Sequence, residues 1–262
     1  MMCKVIAVAN QKGGTAKTTT TLNLGAELAR KGKKVLLIDA DGQGDLTAAL
    51  GYKNADDYDI TLATMLRKSM NDEPMNPTDG ILHHPEGMDL MPGNIELAGI
   101  EVALVNALDR ERVLSEYIKT MRPFYDFILI DSMPSLGMIT INVLASADSV
   151  LIPVQASYLP VKGLQQLFWS IGRVKRRINP HLEIEGILIT RTNDRTNYAR
   201  GILENMRSTY GDVVKIYDVY VPNSIKVEEA AAEGVSIFSH NPNVKAAYAY
   251  AKLAEEVIEN GK

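Results

Sequence analysis

The chain has 262 residues, 46% of them hydrophobic, with 28 Lys/Arg against 32 Asp/Glu and a formal net charge of −4. Those figures suit a globular α/β chain with a sizeable core. The single cysteine, Cys3, excludes a disulfide framework or a multi-cysteine metal site, and no apolar run approaches a membrane span.

The N-terminus shows no charged segment followed by an apolar leader, so the expected compartment is the cytoplasm. The charge is uneven. Residues 162 to 226 hold eleven Lys/Arg against six Asp/Glu, a local balance of +5 that leaves −9 for the remainder. Such asymmetry hints at a side that faces a polyanion.

In chain order, Val5 to Ala9 is a short apolar run that reads as a buried strand. Asn10 to Ala16 is a polar loop with two glycines. From Lys17 the pattern becomes helical, with Leu22, Leu24, Ala26, Leu28 and Ala29 on an apolar stripe. Strand, glycine loop and helix form a phosphate-binding geometry. Loop N–H groups make an anion nest, and the helix start adds unpaired donors. The candidate contacts are Gly13, Gly14, Thr15, Ala16, Lys17, Thr18 and Thr19. Lys17 can reach the terminal phosphates and the Thr18 hydroxyl can ligate Mg²⁺. The match to G-x-x-x-x-G-K-[ST] is partial, because Gln11 and Ala16 stand at the glycine positions. A second lysine, Lys12, precedes Gly13 instead.

Lys34 to Ile38 is the next strand, and it ends in Asp39-Ala40-Asp41-Gly42-Gln43-Gly44. Carboxylates at the C-terminal tips of parallel strands line the ligand crevice. A helix is expected from near Leu46. Thr61 to Met70 has helical spacing, and two strand-like pieces flank the turn Pro85-Glu86-Gly87. His83 and His84 would point to opposite faces of a strand, which argues against a shared metal. Ile95 to Met121 reads as two helices broken near Asp109.

Phe124 to Ile130 is the third strong strand, and it terminates in Asp131-Ser132-Met133-Pro134-Ser135. An apolar strand capped by aspartate is a Walker B arrangement, with Asp131 placed to hold Mg²⁺ through water. Ile139 to Ala147 is a helix and Ser149 to Val154 a strand ending at Pro153. Val161 to Ile178 is a long amphipathic helix whose Arg173, Lys175, Arg176 and Arg177 either complement its dipole or present a basic face. Ile184 to Ile189 is a strand leading to Arg191, Arg195 and Arg200. A helix over Thr196 to Tyr210 and a short strand near Val213 to Ile216 follow. V-Y-V-P-N-S, an Ala/Glu-rich helix and a final helix from Val244 to Asn260 close the chain; that last helix shows Tyr248, Tyr250 and Leu253 on a mixed surface.

The alternation predicts an α/β fold: a single P-loop NTPase domain over residues 1–262, a mostly parallel twisted sheet with helices on both faces. The loop K-G-G-x-x-K-T, the run D-A-D-G-Q-G and the tip D-S-M-P-S together resemble the deviant Walker A ATPases of the ParA/MinD family. The closest likeness is to the small ParA/Soj type of partition ATPase. Ala16, Gly42 and Met133 stand where that family commonly has glycine, proline and proline.

The resemblance implies ATP and Mg²⁺ as cofactors, with Lys12, Lys17 and Asp41 as the catalytic set. Lys12 would reach the nucleotide of a second subunit in an ATP-dependent homodimer, and Asp41 would position the attacking water. Asp39 would support the Mg²⁺ shell alongside Thr18 and Asp131. Pro222 and Asn223 would pack along the adenine, with Asn193 nearby. The type coats non-specific DNA, for which Arg191, Arg195, Arg200 and Lys226 are candidate phosphate contacts. A centromere-binding partner protein of the ParB kind would stimulate hydrolysis, and the location would be the nucleoid.

Among related enzymes, a MinD-like membrane ATPase needs a basic amphipathic C-terminal helix, and the tail A-K-L-A-E-E-V-I-E-N-G-K carries three glutamates instead. No membrane partner is therefore expected. An iron-protein reductase needs cluster cysteines. A dethiobiotin-synthetase-like enzyme, or a nucleotide binder without hydrolysis, stays open.

Overall fold

The structure, a computed structural model, describes residues 3–155, 160–192 and 197–260, with backbone alone at 160–162, 197–200 and 202–203. In chain order the elements are β1 (Lys4–Val8), α1 (Lys17–Arg30), β2 (Val35–Ala40), α2 (Asp45–Ala49), α3 (Leu62–Met70), β3 (Leu82–His83) and β4 (Met88–Met91). Then come α4 (Leu97–Leu104), α5 (Val113–Met121), β5 (Phe127–Ser132), α6 (Met138–Ser146), β6 (Ser149–Gln155) and α7 (Pro160–Arg177). The last are β7 (Glu183–Thr192), α8 (Asn197–Tyr210), β8 (Ile216–Pro222), α9 (Ile225–Glu233), α10 (Ile237–His240) and α11 (Lys245–Glu259).

All eight strands join one sheet in the order β3-β4-β2-β5-β1-β6-β7-β8. Every pairing is parallel except the β3–β4 hairpin. The apolar runs of β1, β2 and β5 are continuous because both faces are covered. Val5, Ala7, Leu36, Ile38, Ile128 and Ile130 pack to one side with Leu66 of α3, Leu114 of α5 and Val143 of α6. Ile6, Val8, Leu37 and Leu129 pack to the other with Leu24 of α1 and Leu253 of α11. The chain leaves β1 in one direction to reach β2 and later returns to its opposite side with β6. That reversal opens a crevice at the β1 tip.

Pro153 lies inside β6 rather than ending it, and geometry explains why it fits. Leu151 accepts from Ala9 N at 3.1 Å, so residue 153 faces the same neighbour two positions on. By then β1 has ended, and the Pro153 carbonyl takes the Asn10 side chain at 2.7 Å instead. No backbone donor is needed there.

Two expectations are corrected. The short strand near Val213 to Ile216 is not formed: Val213 and Val214 close α8 through bonds to the Tyr210 carbonyl. The strand is β8, at the sheet edge, and it takes in Val219 to Pro222. Its alternating exposure and its Asp218 hid it from a search for apolar runs. On the final helix, Tyr250 and Leu253 are fully buried, while Tyr248 is exposed. The helix break near Asp109 is present, with that residue at φ +47°.

The loop after β4 crosses the tip of β2 so closely that a β-carbon on Gly93 would run into the Asp39 carbonyl. Gly93→Ala should therefore cost about 2 kcal/mol, by forcing backbone shifts in a packed region. A fall in the urea unfolding midpoint would show it.

Candidate functional site

The loop after β1 is fixed at several points. Asn10 is buried, donating to Pro153 O and accepting from Lys12 N at 3.0 Å. Thr190, on β7, donates its hydroxyl to Thr15 O at 2.9 Å, and Thr15 donates to Lys12 O at 3.3 Å. Gly14 has φ +72° and Ala16 φ +67°. Left-handed residues interspersed in a loop build the concave nest that binds anions. Ala16 is the residue before α1, and that helix start carries no side-chain cap, leaving its first donors for a ligand.

Four acids and a lysine meet at the base of this loop. Lys17 is 8% exposed. Burial lowers its pKa against the upward pull of Asp131, Asp41 and Asp45. Thr18 donates its hydroxyl to Asp131 Oδ2 at 2.6 Å. The other oxygen, Oδ1, is buried without a hydrogen-bond partner among the described residues. Burial first, and Asp39 next, push the Asp131 carboxyl well above its ordinary range, against the Thr18 hydrogen bond and Lys17. An orphaned carboxylate oxygen beside a threonine hydroxyl is a donor set of the kind Mg²⁺ takes.

Asp39 is differently engaged. Its Oδ2 accepts from Thr47 N at 2.8 Å and Thr47 Oγ1 at 2.7 Å, and its Oδ1 accepts from Asp41 N at 3.2 Å. Burial outweighs those bonds and lifts it to about 6. Gly93 N in turn donates to Thr47 Oγ1 at 3.2 Å. Asp39 thus anchors the loop that carries Asp41.

The nest opens into a cleft of about 370 Å³. Gly13 to Thr19 and Asp41 line one end, Val221, Pro222 and Asn223 the other. The structure therefore brings together the loop, the two expected base contacts and the expected water-positioning acid. Lys12 is exposed and is not part of the cleft wall. Asn193 and Arg195 lie outside the described residues, and Arg200 is described by its backbone alone. Arg191, a candidate DNA contact, lines the cleft, with Nη1 donating to Gly14 O at 3.3 Å. Lys226 sits on α9, paired with Glu229 at 2.6 Å.

Sequence reasoning missed Asp45, Glu228 and Tyr250 in the cleft wall. Asp45 follows directly on the D-A-D-G-Q-G run and was the findable one. Of the histidines, His84 is buried against Gly234 O at 3.1 Å and His83 pairs with Asp89 at 2.6 Å.

The family model described as an AAA domain matches residues 3–184. The sporulation initiation inhibitor protein Soj of Bacillus subtilis is 39% identical over 260 residues, covering 99% of this chain and 100% of Soj. The chromosome partitioning protein ParA of Myxococcus xanthus is 37% identical over 258 residues, covering 98% of this chain and 88% of ParA. The chain belongs to the Soj/ParA family of partition ATPases. A crystal structure of Mycobacterium smegmatis cobyrinic acid a,c-diamide synthase with bound ADP and magnesium superposes with a TM-score of 0.85 at 33% identity. It covers 99% of this chain and 95% of the synthase.

Within this Soj/ParA loop, Ala16 holds a conformation that a β-carbon disfavours by about 1–2 kcal/mol. Ala16→Gly removes that strain but adds freedom to the unfolded chain. The net gain should be about 0.5–1 kcal/mol, read as a raised urea midpoint.

Proposed function

We propose that this Soj/ParA chain is an ATP-dependent dimerising switch. It binds ATP with Mg²⁺, pairs with a second copy, holds non-specific duplex DNA in that state, and lets go after a slow hydrolysis. A centromere-binding partner protein stimulates that hydrolysis at the nucleoid. The observation that carries this reading is the contrast between two lysines of one loop. Lys17 is buried and lines the cleft, whereas Lys12 is exposed and does not line it. An ammonium so placed serves a nucleotide held by another subunit across an isologous interface.

The roles follow from positions. The nest around Gly14 holds the phosphates through backbone N–H groups, and Lys17 neutralises their terminal charge. Thr18 and Asp131 would hold Mg²⁺, which supplies charge stabilisation at the transferring phosphoryl group. Asp41 orients the attacking water, and Asp39 fixes the loop on which Asp41 rides. Pro222 and Asn223 form the base end, where the Asn223 N–H is tied to Thr192 O at 3.0 Å. Lys12 of the second copy adds charge in the manner of an arginine finger. Arg195, Arg200 and Lys226 remain candidate DNA contacts, and Asn193 remains a candidate contact to the adenine of the bound nucleotide. A membrane-bound role is disfavoured, because the apolar residues of α11, among them Tyr250, Leu253 and Val257, are spent on the core. No helix among the described residues is long and apolar enough to cross a membrane.

A second reading, ATP-dependent synthesis on a small molecule, is favoured by the likeness to the Mycobacterium smegmatis synthase. ATPase rate with and without duplex DNA separates the two. Stimulation by DNA supports the partition switch, and indifference to DNA supports the synthase.

Mg-ATP, and not ADP, should yield dimers that sediment with duplex DNA, and retention should fall steeply between ~50 and ~200 mM salt. Lys12→Ala should lower turnover by a factor of about 10³, the lower range for a borrowed cation. Asp41→Ala should hold the ATP dimer on DNA while turnover stops, as seen by light scattering and phosphate release. Normal turnover in that variant would remove Asp41 from its role.

A further inference from the structure

Strands β7 and β8 pair in parallel with two register shifts, one between Ile187 and Ile189 and one between Thr190 and Thr192. Thr190 stands opposite Val221 and Thr192 opposite Pro222, so Arg191 is an extra residue in the ladder. It is a bulge, and its φ is +51°, in the left-handed region that a side chain of this size disfavours. Bulges beside functional sites re-aim a side chain, and strain held in place by its surroundings points to use. The surroundings here are firm. Thr190, before the bulge, is bonded to Thr15 O, and Thr192, after it, accepts from Asn223 N. Both anchors belong to the cleft itself.

The bulge turns the Arg191 guanidinium over the phosphate loop. Nη1 donates to Gly14 O at 3.3 Å, and Nη2 lies 3.2 Å from Oε1 of Glu228 on α9. The two side chains are 41% and 64% exposed. An ion pair this wet holds weakly and exchanges readily. The guanidinium has five donors in a rigid fork that matches phosphate oxygens, and these two long contacts leave most of that capacity for a ligand.

We propose that Arg191 is a phosphate-binding residue of the nucleotide cleft, and that Glu228 is its stand-in partner when no nucleotide is bound. This rests on the reading of the cleft as an ATP site. A nucleoside triphosphate displaces the Glu228 carboxylate from the guanidinium and takes its place, with no covalent change. Glu228 competes with the ligand, and Arg191 belongs to nucleotide capture rather than to a DNA-facing surface.

The test uses the full chain with Mg²⁺ and a fluorescent ATP analogue, read by anisotropy, alongside sedimentation with duplex DNA. Arg191→Ala should weaken nucleotide binding about tenfold. Arg191→Gly should weaken it equally without lowering the Tm, because glycine accepts φ +51° without strain. Glu228→Gln should tighten binding about two- to threefold by removing the competing charge, and this gain should vanish in the Arg191→Ala background. Nucleotide affinity within twofold of the unsubstituted chain for both Arg191 variants overturns the assignment; lost DNA retention in those variants would then return Arg191 to the DNA contacts. Weaker binding in Glu228→Gln overturns the competitor role. Lys17→Ala separates the two levels. If it abolishes binding while Arg191→Gly does not, only the Arg191 assignment falls. If it binds normally, the ATP reading of the cleft falls as well.

Discussion

The parallel register of β2 and β5 sets Asp39 directly opposite Asp131, and both carboxyls are buried. Two like charges on adjacent strand tips, out of water, cannot both ionise unless positive charge is brought to them. Lys17 is the neighbour that supplies some, and its own burial weakens it. The site is thus built with more acid than one ammonium can balance, which is the condition under which a bound divalent cation adds most. The same pair ties the moving parts together. Asp131 grips Thr18 of the phosphate loop, while Asp39 grips Thr47 and, through it, Gly93 of the loop after β4. A change of charge at the tips is felt by three loops at once.

How much of this was readable depended on which physical signal each part carries. The three strands β1, β2 and β5 were legible because burial on both faces writes itself as unbroken apolar runs. Their acidic tips were legible because charge rarely follows such a run without a use. The two base-end residues, Pro222 and Asn223, came from family resemblance, and the cleft does include them. The strand that carries Pro222 was misplaced, since β8 lies at an edge and alternates between apolar and polar. The short α10 was missed altogether; its start depends on Ser236 accepting from Phe238 N and Ser239 N, a local cap without an apolar stripe behind it. The place of Arg191 in the cleft wall could not be read from sequence. One residue inserted in a ladder reverses where a side chain points, and nothing in T-R-T announces it.

The three departures from the family's commoner residues prove to be of different weight. Ala16 adopts the left-handed turn despite its β-carbon, so the loop keeps its shape at some energetic cost. Gly42 sits in ordinary van der Waals surroundings, where nothing within 3.8 Å would oppose a larger residue. Met133 packs half-buried against the main core cluster, so it trades the rigidity of proline for contact area.

Pro153 has a wider meaning than its fit within β6. A residue with an amide hydrogen at that place would offer β1 one more rung, inviting Asn10 to zip onto the sheet and draw the following glycines down with it. Imino-acid chemistry refuses that rung permanently, whatever is bound. The point at which β1 stops pairing with β6 is thus set by a covalent ring, and Asn10 meets β6 through its side chain instead.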